Sequence, residues 1–253
     1  MYYSGNKLYQ FFKNSQKFQF STGTMWELVY GDNNANPLLL TLLVGDISEK
    51  YDLKQEEEAY SRLQYVSEKS KVPLIKVRFK TDTVQKNEVF FLDKNVSSKE
   101  KKISLDELKE VFTQYGLQVQ SSSAKKDINF AVASSFHDWQ RHNIGSNVTV
   151  SDIDLWLVDL GIPKMVFEVK RSKVSIESWT PYKDDYPNFI LISKLCNKAD
   201  MKFKLVYYYM KSGENRQEDI SKLKIFNIVF DGKQLAVDLD KIISLEEFVM
   251  SGG

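Results

Sequence analysis

A chain of 253 residues that is 42% hydrophobic and 13% aromatic carries enough apolar side chains to bury a core of its own, as one large domain or two small ones. Its 35 Lys and Arg against 34 Asp and Glu leave a formal net charge of +1, which excludes a global field for polyanions and confines any nucleic-acid contact to local patches. One cysteine, Cys196, and two histidines, His137 and His142, exclude a disulfide framework and a Cys/His zinc cluster, which fits a reducing cytoplasm.

The opening segment, MYYSGNKLYQFFKN, lacks the layout of a secretion signal, and no apolar run approaches the roughly 20 residues of a membrane span. Residues 1–20 hold Lys7, Lys13 and Lys17 without an acid, interleaved with Tyr9, Phe11, Phe12, Phe18 and Phe20. Such a mixture serves phosphate contact and base stacking, or packing into a core. Periodicity predicts a helix over 6–14, strands over 24–31 and 37–44, and a charged helix over 54–70. Strands over 72–80 and 87–93 precede a helix over 104–116, opened by the capping pair Ser104 and Glu107. The polar stretch QVQSSSAKKD, 118–127, is the expected linker between an N-terminal domain, 1–120, and a C-terminal domain, 121–253.

Beyond it the spacing predicts a helix over 127–142, strands over 147–158 and 164–171, and a helix over 183–198. Strands over 202–210, 224–230 and 233–239 follow, with a closing helix capped by Ser244 and Glu247. The expected fold class is therefore α/β in both halves. ISLDELKEVF, 103–112, is similar to IISLEEFV, 242–249, and PLIKVRFK, 73–80, sits where FKLVYYYM, 203–210, sits. Either the chain is internally duplicated, with the first half a degenerate copy, or two α/β halves are alike by chance.

The chemistry is concentrated in VTVSDIDLWLVDLGIPKMVFEVKRS, residues 148–172. Gly161 and Pro163 mark a turn between two strands, so the segment reads as a hairpin. Alternation places Asp152 and Asp154 on one face of the first strand, and Glu168, Lys170 and Ser172 on one face of the second. An acid and a lysine amid Ile153, Leu155, Val166, Phe167 and Val169 are costly unless they pair or hold a metal. An ordinary alternative is a cross-strand ion pair between Asp154 or Asp152 and Lys170.

This hairpin resembles the PD-(D/E)xK nuclease superfamily, in which an acid on one strand is followed, after a turn, by an acid, any residue and a lysine. Asp154 matches the first acid, with Asp152 as the alternative, and Glu168, Val169 and Lys170 match the second element. The proline before the first acid is missing, since Ser151 precedes Asp152. The resemblance covers about residues 125–250 and implies a restriction-endonuclease-like mixed sheet flanked by helices. It also implies Mg²⁺, with Mn²⁺ as a substitute, held by Asp154, Glu168 and the Val169 carbonyl, Asp152 being an additional candidate, while Lys170 orients or activates the attacking water. Two other E-x-K matches fail on context: Glu100 to Lys102 lies in a polar run, and Glu107 to Lys109 lies on an amphipathic helix.

Around this core, Arg171, Lys173, Lys183 and Tyr182 are candidate nucleic-acid contacts, and Trp179 and Asp185 could line the same groove. The helix before the hairpin offers Gln140 and Arg141 as further contacts, with His137 and Asp138 beside them. In the first half the corresponding hairpin lacks E-x-K; Glu27, Asp32 and Asp46 are its only nearby acids and are assigned no role. The functional expectation is a Mg²⁺-dependent nuclease acting on nucleic acid, DNA rather than RNA, of the restriction, phage-defence, mobile-element or repair type. Cutting both strands would require a homodimer or sequential nicking. The alternative is a non-catalytic nucleic-acid-binding or complex-forming protein that keeps the fold.

Overall fold

The computed structural model describes residues 6–21, 24–46, 53–80, 88–120, 134–211 and 217–253. In chain order these form α1 (Lys7–Phe12), β1 (Phe18–Gln19), β2 (Met25–Gly31), β3 (Pro37–Asp46), α2 (Leu53–Ser70), β4 (Leu74–Lys80), β5 (Glu88–Leu92), β6 (Lys101–Ser104) and α3 (Leu105–Gln114). There follow α4 (Ser135–Asn143), β7 (Thr149–Asp152), β8 (Leu155–Asp159), β9 (Ile162–Ser172), a 3-10 turn (Lys183–Asp185), α5 (Tyr186–Lys198), β10 (Lys202–Met210), β11 (Glu218–Phe230), β12 (Leu235–Ser244) and α6 (Leu245–Ser251). The fold is α/β, with two mixed sheets. None of the described helices is long and apolar enough to cross a membrane.

The chain divides into two compact units, but not at the expected linker. One unit is Ser21–Asp152; the other joins the residues up to Phe20 to Ile153–Gly253. The expected boundary at 120/121 therefore falls inside the first unit, because α4 and β7 pack there: β7 extends that sheet by pairing with β2. Most of the polar stretch at 118–127 and the start of the helix expected over 127–142 lie outside the described residues.

Each unit holds one six-stranded sheet, in the order β7-β2-β3-β4-β5-β6 and β1-β8-β9-β10-β11-β12. In both, successive ladders read antiparallel, antiparallel, parallel, antiparallel, antiparallel. The parallel step requires a crossover, which α2 supplies between β3 and β4 and α5 supplies between β9 and β10. In the first unit Leu39, Leu43, Val77 and Phe79 pack with Leu108 and Phe112 of α3 and Phe136 of α4. In the second unit Phe167, Val169, Val206 and Tyr208 pack with Leu8 and Phe12 of α1, Phe18 of β1 and Phe248 of α6.

Ends of elements follow their local chemistry. Ser104 and Glu107 form the expected reciprocal capping box on α3. At α6, Ser244 accepts from the Glu247 backbone, so the serine half of the expected box is present. Leu160 and Gly161 connect β8 to β9 with φ of 48° and 80°, the pair of positive values that a tight two-residue hairpin of type I′ demands.

The strand expected over 147–158 is two strands. β7 ends at Asp152 in one sheet and β8 begins at Leu155 in the other, so Ile153 and Asp154 are the crossing between units. This corrects the shared-face expectation for Asp152 and Asp154.

Candidate functional site

β8, β9 and β10 position the second unit's acidic residues and lysine. The β8–β9 ladder ends at Leu155 opposite Phe167, so the next outward-facing backbone edge of β9, at Val169, is beyond the last β8 rung. Asp154 fills that place: its Oδ2 accepts from the Val169 N–H at 2.8 Å, which satisfies a donor that β8 does not reach. N–H and C=O of one strand residue leave on the same edge, so the Val169 carbonyl emerges on the side where Asp154 lies. Asp154 is itself buried, 6% exposed.

Glu168 and Lys170 follow on the face of β9 opposite Phe167 and Val169, which are committed to the core. The Lys170 Nζ lies 2.9 Å from Glu168 Oε1 and 3.2 Å from Asp185 Oδ2. Glu168 is 12% exposed, Asp185 19% and Lys170 29% by side chain, so the ion pairs are substantially shielded from water. Burial alone would lower the Lys170 pKa; the charge of Glu168 and its hydrogen bond, then Asp185 and Asp154, outweigh burial and raise it. Lys170 is thus held between two carboxylates as a hydrogen-bond donor. The cross-strand partner expected for it, Asp154, contributes at longer range, and the close partners are Glu168 and Asp185.

Asp185 arrives through a loop fastened to the sheet. Tyr207 lies beside Lys170 in the β9–β10 ladder, and Trp179 stacks flat on its ring at 4.1 Å with an interplanar angle of 2°. The Tyr207 hydroxyl donates to the Val174 carbonyl. From β11, the Lys224 ammonium donates to the Glu177 and Trp179 carbonyls, each at 2.8 Å. Lys224 is 4% exposed, and desolvation lowers its pKa. Pro187 in the first turn of α5 then sets the helix entry directly after Asp185. No periodic signal marks Lys224, because one lysine in a strand is indistinguishable from a solvated one.

The remaining expected residues are distributed as follows. Lys173, Lys183 and Tyr182 are exposed along the loop and 3-10 turn that lead to Asp185. Arg171 alternates to the other face of β9 from Lys170 and pairs with the buried Glu218, which also accepts from the Lys7 N–H at 2.6 Å. Gln140 and Arg141 sit on α4 in the first unit, where the Gln140 carbonyl accepts from the Tyr30 hydroxyl at 2.6 Å. Asp152 belongs to the first unit as well, opposite Leu28 of β2.

His137 is in that unit too. Its Nδ1 is 2.8 Å from the Ser134 Oγ at the start of α4, and its ring meets the Trp26 edge at 4.8 Å.

Among the described residues, no three His, Cys, Asp or Glu side chains gather as a metal-binding group. The donors near Lys170 are hard oxygens: the carboxylates of Asp154, Glu168 and Asp185, and a strand carbonyl, Val169. Mg²⁺ commonly uses one or two carboxylates and keeps several waters, so this donor set suits it better than zinc.

No family model and no curated protein matches the chain. Two solved structures align over much of its length. One is the sex pheromone staph-cAM373 precursor, 10% identical, covering 88% of this chain and 78% of that one at a TM-score of 0.16. The other is a sex pheromone precursor from Lactobacillus salivarius subsp. salivarius UCC118, 7% identical, covering 86% and 68% at a TM-score of 0.15. TM-scores this low carry no argument about fold or function.

Proposed function

We propose that the second unit is a Mg²⁺-dependent nuclease of the PD-(D/E)xK type, with a restriction-endonuclease-like sheet, that hydrolyses phosphodiester bonds of nucleic acid, DNA in preference to RNA. The observation that carries this reading is the Lys170 ammonium held between Glu168 and Asp185, next to a buried Asp154 that tops the adjoining strand. A charged cluster of this kind in an apolar sheet is expensive to maintain for stability alone.

In this reading Asp154, Glu168 and the Val169 carbonyl hold Mg²⁺, which when bound polarises a phosphate oxygen and lowers the pKa of a coordinated water. Lys170 orients or activates the attacking water and meets the negative charge that develops on the non-bridging phosphate oxygens. Asp154 keeps its place through the Val169 N–H. Lys173, Lys183 and Tyr182, exposed on the approach to Asp185, supply phosphate contact and stacking. The proposed setting is cytoplasmic.

A second reading is favoured by the two close ion pairs of Lys170, with Glu168 and Asp185: a non-catalytic nucleic-acid-binding protein in which Lys170 is a structural counter-ion. One experiment separates the two. Plasmid, linear duplex, single-stranded DNA and RNA are incubated with Mg²⁺ or Mn²⁺, using wild type and Lys170→Ala. Cleavage by wild type that is lost in the variant supports the nuclease; equal products from both, or none from either, rejects it.

A further inference from the structure

The two sheets agree in strand order and in the register of the ladders that lead to Lys170, although the ladders of β11 carry register shifts that those of β5 lack. Ser104 and Ser244 each end an edge strand and cap the following helix; Ser104 lies opposite Glu88 and Ser244 opposite Lys222. Two residues further along, Phe90 is level with Lys224, and their neighbours in the next ladder are Arg78 and Tyr207. Across the parallel ladders, Arg78 lies beside Val44 and Tyr207 beside Lys170. The hairpin ladders then place Leu28 opposite Thr41 and Leu155 opposite Phe167. Followed in this way, Glu27 falls on Asp154, Leu42 on Glu168 and Val44 on Lys170. Pro37 falls on Pro163, each just past a register shift in its hairpin ladder.

The arms are exchanged. α1 and β1 precede the first copy in the chain and complete the second copy's sheet; α4 and β7 precede the second copy and complete the first. Reciprocal exchange of one element between equal partners is the signature of a swapped dimer, here joined into one chain.

Of the three site positions, the first copy retains a functional group at one, Glu27. Glu27 is 1% exposed, and its Oε1 accepts from the Ser21 hydroxyl at 2.6 Å and from Arg62 Nη2 at 2.6 Å. Arg62, on α2, is 5% exposed. A guanidinium keeps its proton and here sits on the carboxylate that falls on Asp154, while Leu42 and Val44 offer no ligand or donor and their ladder neighbours Lys76 and Arg78 occupy the buried Glu56.

We infer that the chain is a fused, arm-exchanged pair of repeats whose first centre is closed by Arg62 on Glu27, leaving one hydrolytic centre that breaks one strand of a duplex per encounter. This rests on the nuclease reading of Asp154, Glu168 and Lys170. Hydrolysis there adds one water across one P–O bond, giving a phosphate monoester and a hydroxyl, with no other co-reactant.

The test uses the full chain, supercoiled plasmid with Mg²⁺, and calorimetric titration with Mn²⁺. The expected results are open-circle plasmid accumulating before any linear form, and one Mn²⁺ site per chain that is lost in Glu168→Gln. The double variant Glu27→Met with Arg62→Leu, a volume-matched apolar replacement of the buried pair, nicks and binds Mn²⁺ as wild type does; Arg62→Lys, which keeps a cation on Glu27, is the second variant should the double one not fold. Linear product formed together with open circle, a second Mn²⁺ site, or loss of the Mn²⁺ site in folded first-copy variants overturns the inference while the nuclease reading stands. Folded wild type that neither cleaves nor binds Mn²⁺ overturns both.

Discussion

Asp154 has two duties that substitution can separate. Asparagine keeps an oxygen for the Val169 N–H, so Asp154→Asn should melt close to wild type while losing cleavage by about 10²- to 10³-fold. Alanine leaves that buried N–H unmatched and should cost about 1–3 kcal/mol in urea unfolding as well. If Asp154→Asn cleaves normally, Asp154 is only a strand cap. His137 gives a pH dependence of the other unit. Burial lowers its pKa, Asp152 opposes this and Arg141 adds to it. A histidine with a lowered folded pKa stabilises above its unfolded value of about 6.5, and that stability is lost as pH falls through the folded value. The melting temperature should therefore drop on acidification, and His137→Gln, which keeps a capping side chain for Ser134, should flatten the drop. A variant whose melting temperature falls as steeply as wild type would assign the effect elsewhere. At this scale the sequence was readable for Glu168 and Lys170, whose alternation within an apolar strand marks them. It was silent on Asp185 as the second close partner of Lys170, because a contact across 15 positions of loop leaves no periodicity.

At the level of elements, the loop from β9 to α5 depends on one ammonium. Lys224→Met should remove both donors to the Glu177 and Trp179 carbonyls, lowering stability by about 1–3 kcal/mol. Hydrogen exchange over residues 173–185 should accelerate while β2 to β5 stay unchanged, and protection of that loop at the wild-type level would show that the Trp179–Tyr207 stack suffices. Most long elements were legible, α2 and α5 from their apolar spacing and α3 from its capping pair. The strand expected over 147–158 was misread because VTVSDIDLWLV alternates without a Gly or Pro, and a change of sheet needs neither. β6 was missed since KKIS is half lysine; an edge strand tolerates this, and the charge discourages further pairing. β1 is too short to announce itself, although Phe18 within it is a core residue.

For the whole molecule, the N-terminal arm matters most to the opposite end of the chain. Phe12 stacks on Phe18 at 4.4 Å, and Phe18 on Phe248 at 5.1 Å, so deleting residues 1–20 should unfold the unit that bears Lys170 and spare β2 to β6. Phe18→Ala alone should cost about 3–5 kcal/mol. Proteolysis followed by mass spectrometry reads both, and a C-terminal unit that resists protease without its arm would reject the assignment. The basic and aromatic opening of the sequence is thus read as packing: Leu8, Tyr9, Phe12 and Phe18 are core, while Phe11 is 53% exposed. The exchanged arm also sets an order of events during synthesis. Its aromatic residues leave the ribosome well before β8 to β12 and α6, which complete the sheet and core that receive them. Closing so long a loop is slow, so the nascent chain carries this aromatic surface without its partners until those later strands have followed.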